Sequence, residues 1–374
     1  MENGGWRMKE EKKEGKNLPS SILHSPSSIL PKTAYVFPGQ GSQYIGMGYD
    51  FYQNFEVARK IYNDAEEVLG YPLTKLCFEG PIEKLSQTQY SQVAILTTSI
   101  ACLEVLRENF LFTVSCIQPS AFSLQPSYLA GHSLGEYSAI VAAEGIEFKE
   151  ALSIVQKRAQ FMQEEAEKYP AGMMAILFGK DGECRMENGG GRQKSFLLHS
   201  PSSILHSSSL SRLDRGTVER ICKEESVEIA NINCPGQIVI SGLKECLEKA
   251  GQKAIDSGAK KVIPLAVNGA FHSSFMNPAQ KKLAKVLDEA RIKKTQIPVV
   301  ANVTAKPVTN PDEIRESLTR QISGSVLWED SVRFMIKEGV NTFIEIGPGR
   351  VLKGLIRRID SGVEVKNIEN MDSL

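Results

Sequence analysis

"YLAGHSLGEYSAIVAAEG", residues 128–145, sets Ser133 between two glycines in the pattern Gly-x-Ser-x-Gly. The residues before it, "SYLAG", read as a short strand, and those after it, "LGEYSAIVAA", as a helix. A serine on such a strand-to-helix elbow has its hydroxyl pushed out at the carboxyl edge of a sheet, where a nucleophile belongs. Five-residue patterns recur by chance, so the flanking chain has to decide.

Upstream, "TAYVFPG" (33–39) reads as an opening strand running into a Gly-rich loop. Helical patterns follow in "EVARKIYNDAEEVLG" (56–70) and "ILTTSIACLEVLREN" (95–109). Alternating strands and helices imply an α/β protein with its site-bearing loops at the carboxyl edge of a parallel sheet. Between about 170 and 268 the rhythm changes. Strand "MMAILFG", helix "TVERICKEE", strands "VEIANI" and "QIVISG" around "NCPG", helix "LKECLEKAGQKAIDSGA" and strand "KKVIPLAV" give β-α-β-β-α-β. The expectation is an α/β-hydrolase-like main domain over 32–166 and 275–374, with an inserted ferredoxin-like small domain over 167–274.

Two segments look foreign to this order. "LHSPSSIL" occurs at 23–30 and again at 198–205, and "MENGG" at 1–5 and again at 186–190. Neither copy has the apolar period of a packed repeat, and serine-rich composition buries too little to offset its ordering entropy. Residues 1–31 therefore read as a disordered extension. The tract near 183–213 reads as translated repeat sequence carried in a loop where insertion costs little. A doubled Gln-Pro-Ser suggests a lengthened loop near 109–125.

Composition narrows the function classes. Lysine plus arginine equals aspartate plus glutamate at 44 each, so no global field draws the chain to nucleic acid or an anionic membrane. Seven cysteines without a Cys-x-x-Cys pair, and five histidines, give no zinc spacing and no disulfide framework. No run approaches the ~18 apolar residues of a membrane span. A cytoplasmic monomer without metal or cofactor is expected.

A serine hydroxyl needs a base and donors for the oxyanion that develops. Of the histidines, His24, His199 and His206 lie in the foreign tracts, and His132 adjoins Ser133, where side chains diverge on a tight turn. His272, in "VNGAFHSSFM", remains as the base. No acidic residue announces itself as the partner of that histidine. In "FKEALSIVQKRAQFMQEEA", Arg158 lies within the edge of a stripe formed by Ala151, Val155, Ala159, Met162 and Ala166. A guanidinium at an apolar seam is costly unless it meets a carboxylate, from the protein or from a substrate.

From Lys32 onward, insertions apart, the chain resembles the malonyl-CoA:acyl carrier protein transacylases and related acyltransferase domains. The motifs are "VFPGQGSQ" (36–43), "GHSLGEYSA" (131–139), "QKRAQFMQ" (156–163), "NINCPGQIVISG" (231–242), "GAFHSSFM" (269–276), "NVTA" (302–305) and "EIGPGRVLKGLI" (345–356). The resemblance implies that Ser133 is acylated, that His272 is its base, and that the amides of Gln40 and Leu134 form the oxyanion hole. It further implies that Arg158 grips the malonyl carboxylate and that the main-chain carbonyl of Gln321 orients the base. Asn231 and Asn233 match polar cleft positions, and Phe271 matches the malonyl-selecting form. The implied substrate is malonyl-CoA and the implied partner an acyl carrier protein, an acidic molecule. Arg350, Lys353, Arg357, Arg358, Lys281, Lys282 and Lys285 are the candidate basic docking residues. The competing readings are a serine hydrolase on the same elbow and a catalytically silent relative disrupted by its insertions.

Overall fold

The computed structural model describes Met1 and residues 32–114, 125–179, 213–267 and 269–374. The expectations for 1–31, most of the tract near 183–213 and most of the loop near 109–125 lie outside these residues. The chain opens with β1 (Lys32–Phe37), followed by α1 (Tyr49–Asn54), α2 (Glu56–Leu69), α3 (Leu73–Glu79), α4 (Ile82–Leu85) and the long α5 (Thr88–Val114). Then come β2 (Tyr128–Gly131), α6 (Gly135–Ala142), α7 (Phe148–Ala166), β3 (Ala171–Leu177) and α8 (Arg215–Glu224). β4 (Glu228–Cys234), β5 (Gln237–Leu243), α9 (Lys244–Asp256), β6 (Lys261–Pro264) and α10 (Asn277–Glu289) follow. The last stretch holds β7 (Val299–Val300), β8 (Pro307–Val308), α11 (Pro311–Gln321), α12 (Trp328–Lys337), β9 (Val340–Ile346), α13 (Val351–Ile359) and β10 (Glu364–Ile368).

The result is a mixed α/β protein with two sheets. The larger runs β10-β9-β1-β2-β7-β8, parallel throughout except for β8 at its edge. Side chains alternate across a strand, so a sheet covered on both faces feeds two cores. That is what β1 does: Tyr35 and Phe37 join one apolar cluster while Ala34 and Val36 join another. Leu129 and Ala130 of β2 divide in the same way. The expected opening strand and the strand before Ser133 are both present. The helix read at 95–109 extends in both directions.

The smaller sheet is antiparallel, in the order β4-β5-β3-β6. Met174, Ile176, Ile238 and Ile240 face α8 and α9, whereas Met173, Ala175 and Val239 face the main core. The β4–β5 connection is Pro235-Gly236, with proline supplying a fixed φ and Gly236 a φ of 78°. The strand read at 260–267 pairs with β3 over β6, with one further backbone bond from the Leu265 N–H to the Met173 carbonyl. No helix among the described residues is long and apolar enough to cross a membrane.

Candidate active site

Ser133 occupies the turn between β2 and α6 with a φ of 50°. Left-handed backbone is costly for serine and persists only where the surroundings hold it. The two glycines of the motif are what allow it. A Cβ on Gly131 would stand 1.9 Å from the Gly135 carbonyl carbon, and one on Gly135 would stand 2.1 Å from the Phe37 oxygen. Strand, turn and helix therefore touch backbone to backbone. Asn302, just beyond β7, closes the turn: its Oδ1 accepts from the Ser133 N–H at 2.7 Å, and its amide donates to the Gly131 carbonyl at 2.7 Å.

His272 reaches this hydroxyl from the stretch after β6. Its Nε2 lies 2.8 Å from Ser133 Oγ, and its Nδ1 lies 2.9 Å from the Gln321 carbonyl and 3.2 Å from the Gly324 carbonyl. Carbonyls only accept, so Nδ1 carries the proton and Nε2 presents its lone pair to the serine O–H. Two carbonyl dipoles thus do the orienting that an acid does in other serine sites. Burial, then the nearby Arg158 charge, pull the imidazole down to about 3, so it is neutral and ready to accept a proton.

Arg158 lies on the buried face of α7 and is 1% exposed. Its Nη2 donates to Ser133 Oγ at 3.1 Å and to Gln321 Oε1 at 2.9 Å, its Nη1 donates to Gln92 Oε1, and the guanidinium lies over the Tyr137 ring. Nε is buried without a partner, and no carboxylate among the described residues is within ion-pair distance. Neutral oxygens hold the cation in place without discharging it. The Glu136 carboxyl acts on this cation only at a distance, across the Gln321 amide, and a buried cation without an ion-pair partner is costly.

The loop after β1 packs closely on the elbow. A Cβ on Gly39 would stand 2.3 Å from the His132 carbonyl oxygen, which brings Gln40 against the elbow. The N–H groups of Gly135, Glu136 and Tyr137 bond back to His132, Ser133 and Leu134, while that of Leu134 takes no backbone carbonyl among the described residues. Asn231 and Asn233 are buried on β4, and Asn233 Oδ1 bonds His132 Nε2 at 2.9 Å. His132 also packs on Trp328, so it faces away from the serine proton as its position in the turn implied. Phe271 is buried beside His272.

Sequence reasoning missed four participants. Gln92 and Gly324 carry no pattern that separates them from ordinary helix or turn residues. It gave no role to Asn302 and Glu136, although they lie inside the motifs "NVTA" and "GHSLGEYSA". A lone amide within the apolar run "SQVAIL" was the one available hint for Gln92. Glu136 is 1% exposed on the first turn of α6, and its Oε2 accepts from Gln321 Nε2 at 2.8 Å and from the Asn302 N–H at 3.2 Å. Burial pushes its carboxyl up to about 7, against the pull of those donors and of Arg158.

Known proteins share this sequence and fold. A family model described as acyl transferase domain matches residues 34–228. The malonyl CoA-acyl carrier protein transacylase of Bacillus subtilis (strain 168) is 39% identical over 346 residues, covering 92% of this chain and 96% of the relative. That of Staphylococcus aureus (strain MRSA252) is 35% identical over 352 residues, covering 92% and 98%. An acyl carrier protein S-malonyltransferase structure from Vibrio cholerae matches with a TM-score of 0.77 at 36% identity, covering 91% of this chain and 98% of that one. A malonyl-transacylase solved in complex with a type II PKS acyl-carrier protein matches with a TM-score of 0.77 at 37% identity, covering 91% and 97%. With the elbow, the facing imidazole and the buried guanidinium in one chain, and this likeness along nearly all of it, the protein belongs to the malonyl CoA-acyl carrier protein transacylases of the acyl transferase family.

Proposed function

We propose that the protein moves a malonyl group from malonyl-CoA to the phosphopantetheine thiol of an acyl carrier protein through a malonyl ester on Ser133, supplying fatty-acid synthesis. The observation that carries this reading is the convergence on one oxygen: Ser133 Oγ meets the His272 base at 2.8 Å and the Arg158 cation at 3.1 Å. Oγ attacks the thioester carbonyl as its proton passes to His272 Nε2. The amides of Gln40 and Leu134 hold the oxyanion, the C–S bond breaks, and the CoA thiolate leaves with the proton from His272. The carrier thiol then gives its proton to His272 and attacks the ester carbonyl, and Ser133 recovers its hydrogen as the C–O bond breaks. Every step runs on side chains and backbone, so the chemistry calls for no metal or cofactor.

Arg158 adds selectivity in two ways. A malonyl carboxylate can take the unpartnered Nε and an Nη in parallel hydrogen bonds. Its negative charge also offsets the cation that suppresses His272, so the correct substrate strengthens its own base. A hydrolase reading has no use for this buried cation, and an inert relative would not need a preset tautomer. Phe271 would narrow the pocket on the side of the histidine, with Asn231 and Asn233 as polar lining.

We read β3 through β6 as a ferredoxin-like small domain within 167–274, on a main domain of α/β-hydrolase type over 32–166 and 275–374. The spatial order β4-β5-β3-β6 supports the first part, and the parallel sheet with its serine elbow supports the second. The partner would be an acidic carrier protein approaching a monomeric cytoplasmic enzyme. Arg357 on α13 and Lys281 and Lys285 on α10 are exposed to it, with Lys353 half-buried. Arg350, Arg358 and Lys282 are engaged with Glu369, Gln237 and Glu164. The test is intact-protein mass after brief exposure to malonyl-CoA, with Arg158→Ala alongside. A single malonyl adduct on Ser133 is expected. Arg158→Ala is expected to lower malonyl loading by ~10²-fold or more while acetyl loading falls far less. Steady CoA release without a carrier, or equal losses for both donors, contradicts the reading.

A further inference from the structure

We propose that Glu136 is a positioning residue for the malonyl clamp: its carboxylate fixes the side-chain amide of Gln321 so that the amide oxygen faces Arg158. The inference rests on the malonyl-transfer reading and names a residue that reading does not use.

The argument is one of donors and acceptors. Gln321 Nε2 donates to the Ser133 carbonyl at 2.7 Å and to Glu136 Oε2 at 2.8 Å, while Gln321 Oε1 accepts from Arg158 Nη2 at 2.9 Å. An amide can be turned over at little steric cost, so its orientation is set by its neighbours. Turned over here, it would put oxygen against a carbonyl and a carboxylate, and NH2 against a guanidinium. All three contacts would be lost or repulsive. Two N–H groups converge on the same Glu136 oxygen, Oε2, so that oxygen is presented as an acceptor whether or not the other carries a proton. Once the group is ionised it can only accept. Glu136 also accepts from the Asn302 N–H at 3.2 Å, and Asn302 in turn holds the Ser133 N–H and the Gly131 carbonyl. The carboxylate thus touches neither the reacting atoms nor the substrate, yet it sets the amide that holds the cation. His272 is held by the main-chain carbonyl of Gln321, not by its side chain, so proton transfer does not depend on Glu136.

That separation gives the test. Ser133 loading of the full-length protein is measured with malonyl-CoA and with acetyl-CoA, which has no carboxylate to clamp. Glu136→Ala should lower the malonyl-to-acetyl ratio of kcat/KM by ~10-fold or more, chiefly through the malonyl KM. Glu136→Gln can still present an oxygen to both donors and should stay within ~3-fold of the wild-type ratio. In an Arg158→Ala background, Glu136→Ala should change the ratio no further, because the group it acts through is gone. Equal losses for both donors, an unchanged ratio, or the same ratio loss with and without Arg158 overturns the proposal. Should Glu136→Ala fail to fold, Glu136→Asp decides: it withdraws the carboxylate by about one bond length, ~1.5 Å, and an unmoved ratio refutes the role. If Arg158→Ala itself leaves the ratio intact, the malonyl clamp fails. If it lowers the ratio and the Glu136 variants do not, only the present inference fails.

Discussion

Two turns carry the chemistry, and they are made in different ways. Ser133 and His272 both hold left-handed backbone, with φ of 50° and 58°, a conformation that costs a non-glycine residue about 1–3 kcal/mol. The Ser133 turn is permitted from within five residues, by glycines whose absent Cβ atoms let strand, loop and helix touch, and Asn302 then closes it. The His272 turn has one local tie, and the rest of what holds it comes from far along the chain. Ser273 Oγ donates to the Ala270 carbonyl, the Ser274 N–H meets the Glu228 carboxylate, and the ring rests on carbonyls at 321 and 324. The nucleophile's turn is marked by local sequence even though Asn302 completes it, whereas the base is placed only by the tertiary fold.

The sharpest way to break this contrast is to add one carbon beside each turn. In Gly135→Ala the new Cβ meets Phe37 backbone at 2.1 Å and has nowhere to go, so neither a folded elbow nor malonyl loading is expected. In Gly269→Ala the nearest atoms are Ala166 Cβ at 2.6 Å, at the last residue of α7, and Phe271 Cε1 at 2.9 Å. The end of the helix and the ring must both give, with no carbonyl in the way. A loss of about 1–3 kcal/mol with activity retained is expected there. Thermal melts and adduct mass measure both, and a fully active Gly135→Ala would show that the elbow does not need its glycines.

Next in size is His272→Ala. Removing the base should slow Ser133 acylation by ~10²–10⁴-fold while the melt changes little beyond the lost packing. Because the wild-type imidazole is held near 3, its acylation rate should show no break near the usual histidine range. Stopped-flow loading between pH 5 and 8 measures this with acetyl-CoA, which brings no carboxylate to Arg158, in a Glu136→Gln background that removes the carboxyl raised to about 7. A break near 6.5 would mean an exposed, ordinary imidazole.

The same division governs what was legible in the sequence. Ser133 was readable because its turn is marked locally, and Arg158 because a charge on an apolar helical stripe is anomalous wherever the helix packs. His272 was readable only by excluding the other histidines. The carbonyl of Gln321 came from resemblance alone, since any residue has a carbonyl. Glu136 looked like the acid common on the first turn of a helix, where the N-terminal dipole welcomes it on the surface. Its burial depends on α6 being sealed beneath Asn302 and Gln321, and 166 and 185 residues of chain separate those partners from it. In the fold, β1 to β6 follow from pattern and turn signals. The two-residue strands β7 and β8 have no period to read, and β10, with Lys366 and Asn367 between its apolar residues, is marked only by its pairing with β9.

The smallest expected effect separates the two turns by pH. Glu136, directly behind Ser133, has its carboxyl raised to about 7 from an ordinary value of 4.5. Between those values the folded chain keeps a proton that the unfolded chain has lost, so wild-type stability declines as pH rises through this window and levels off above it. Glu136→Gln has no proton to lose there. Its melting temperature should therefore match or fall below wild type at pH 4.5 and gain on it by about 2–5 °C by pH 8. His272 acts in the opposite sense: its depressed value makes wild type lose stability as pH falls from 6.5 toward 3, and both proteins share that loss, so it cancels in the difference. His272→Gln should relieve the acid-side loss and leave the alkaline side alone. Melts of the three proteins across pH 4.5–8 measure both arms, and a Glu136→Gln difference that is flat with pH would place the Glu136 carboxyl in water rather than beneath the elbow.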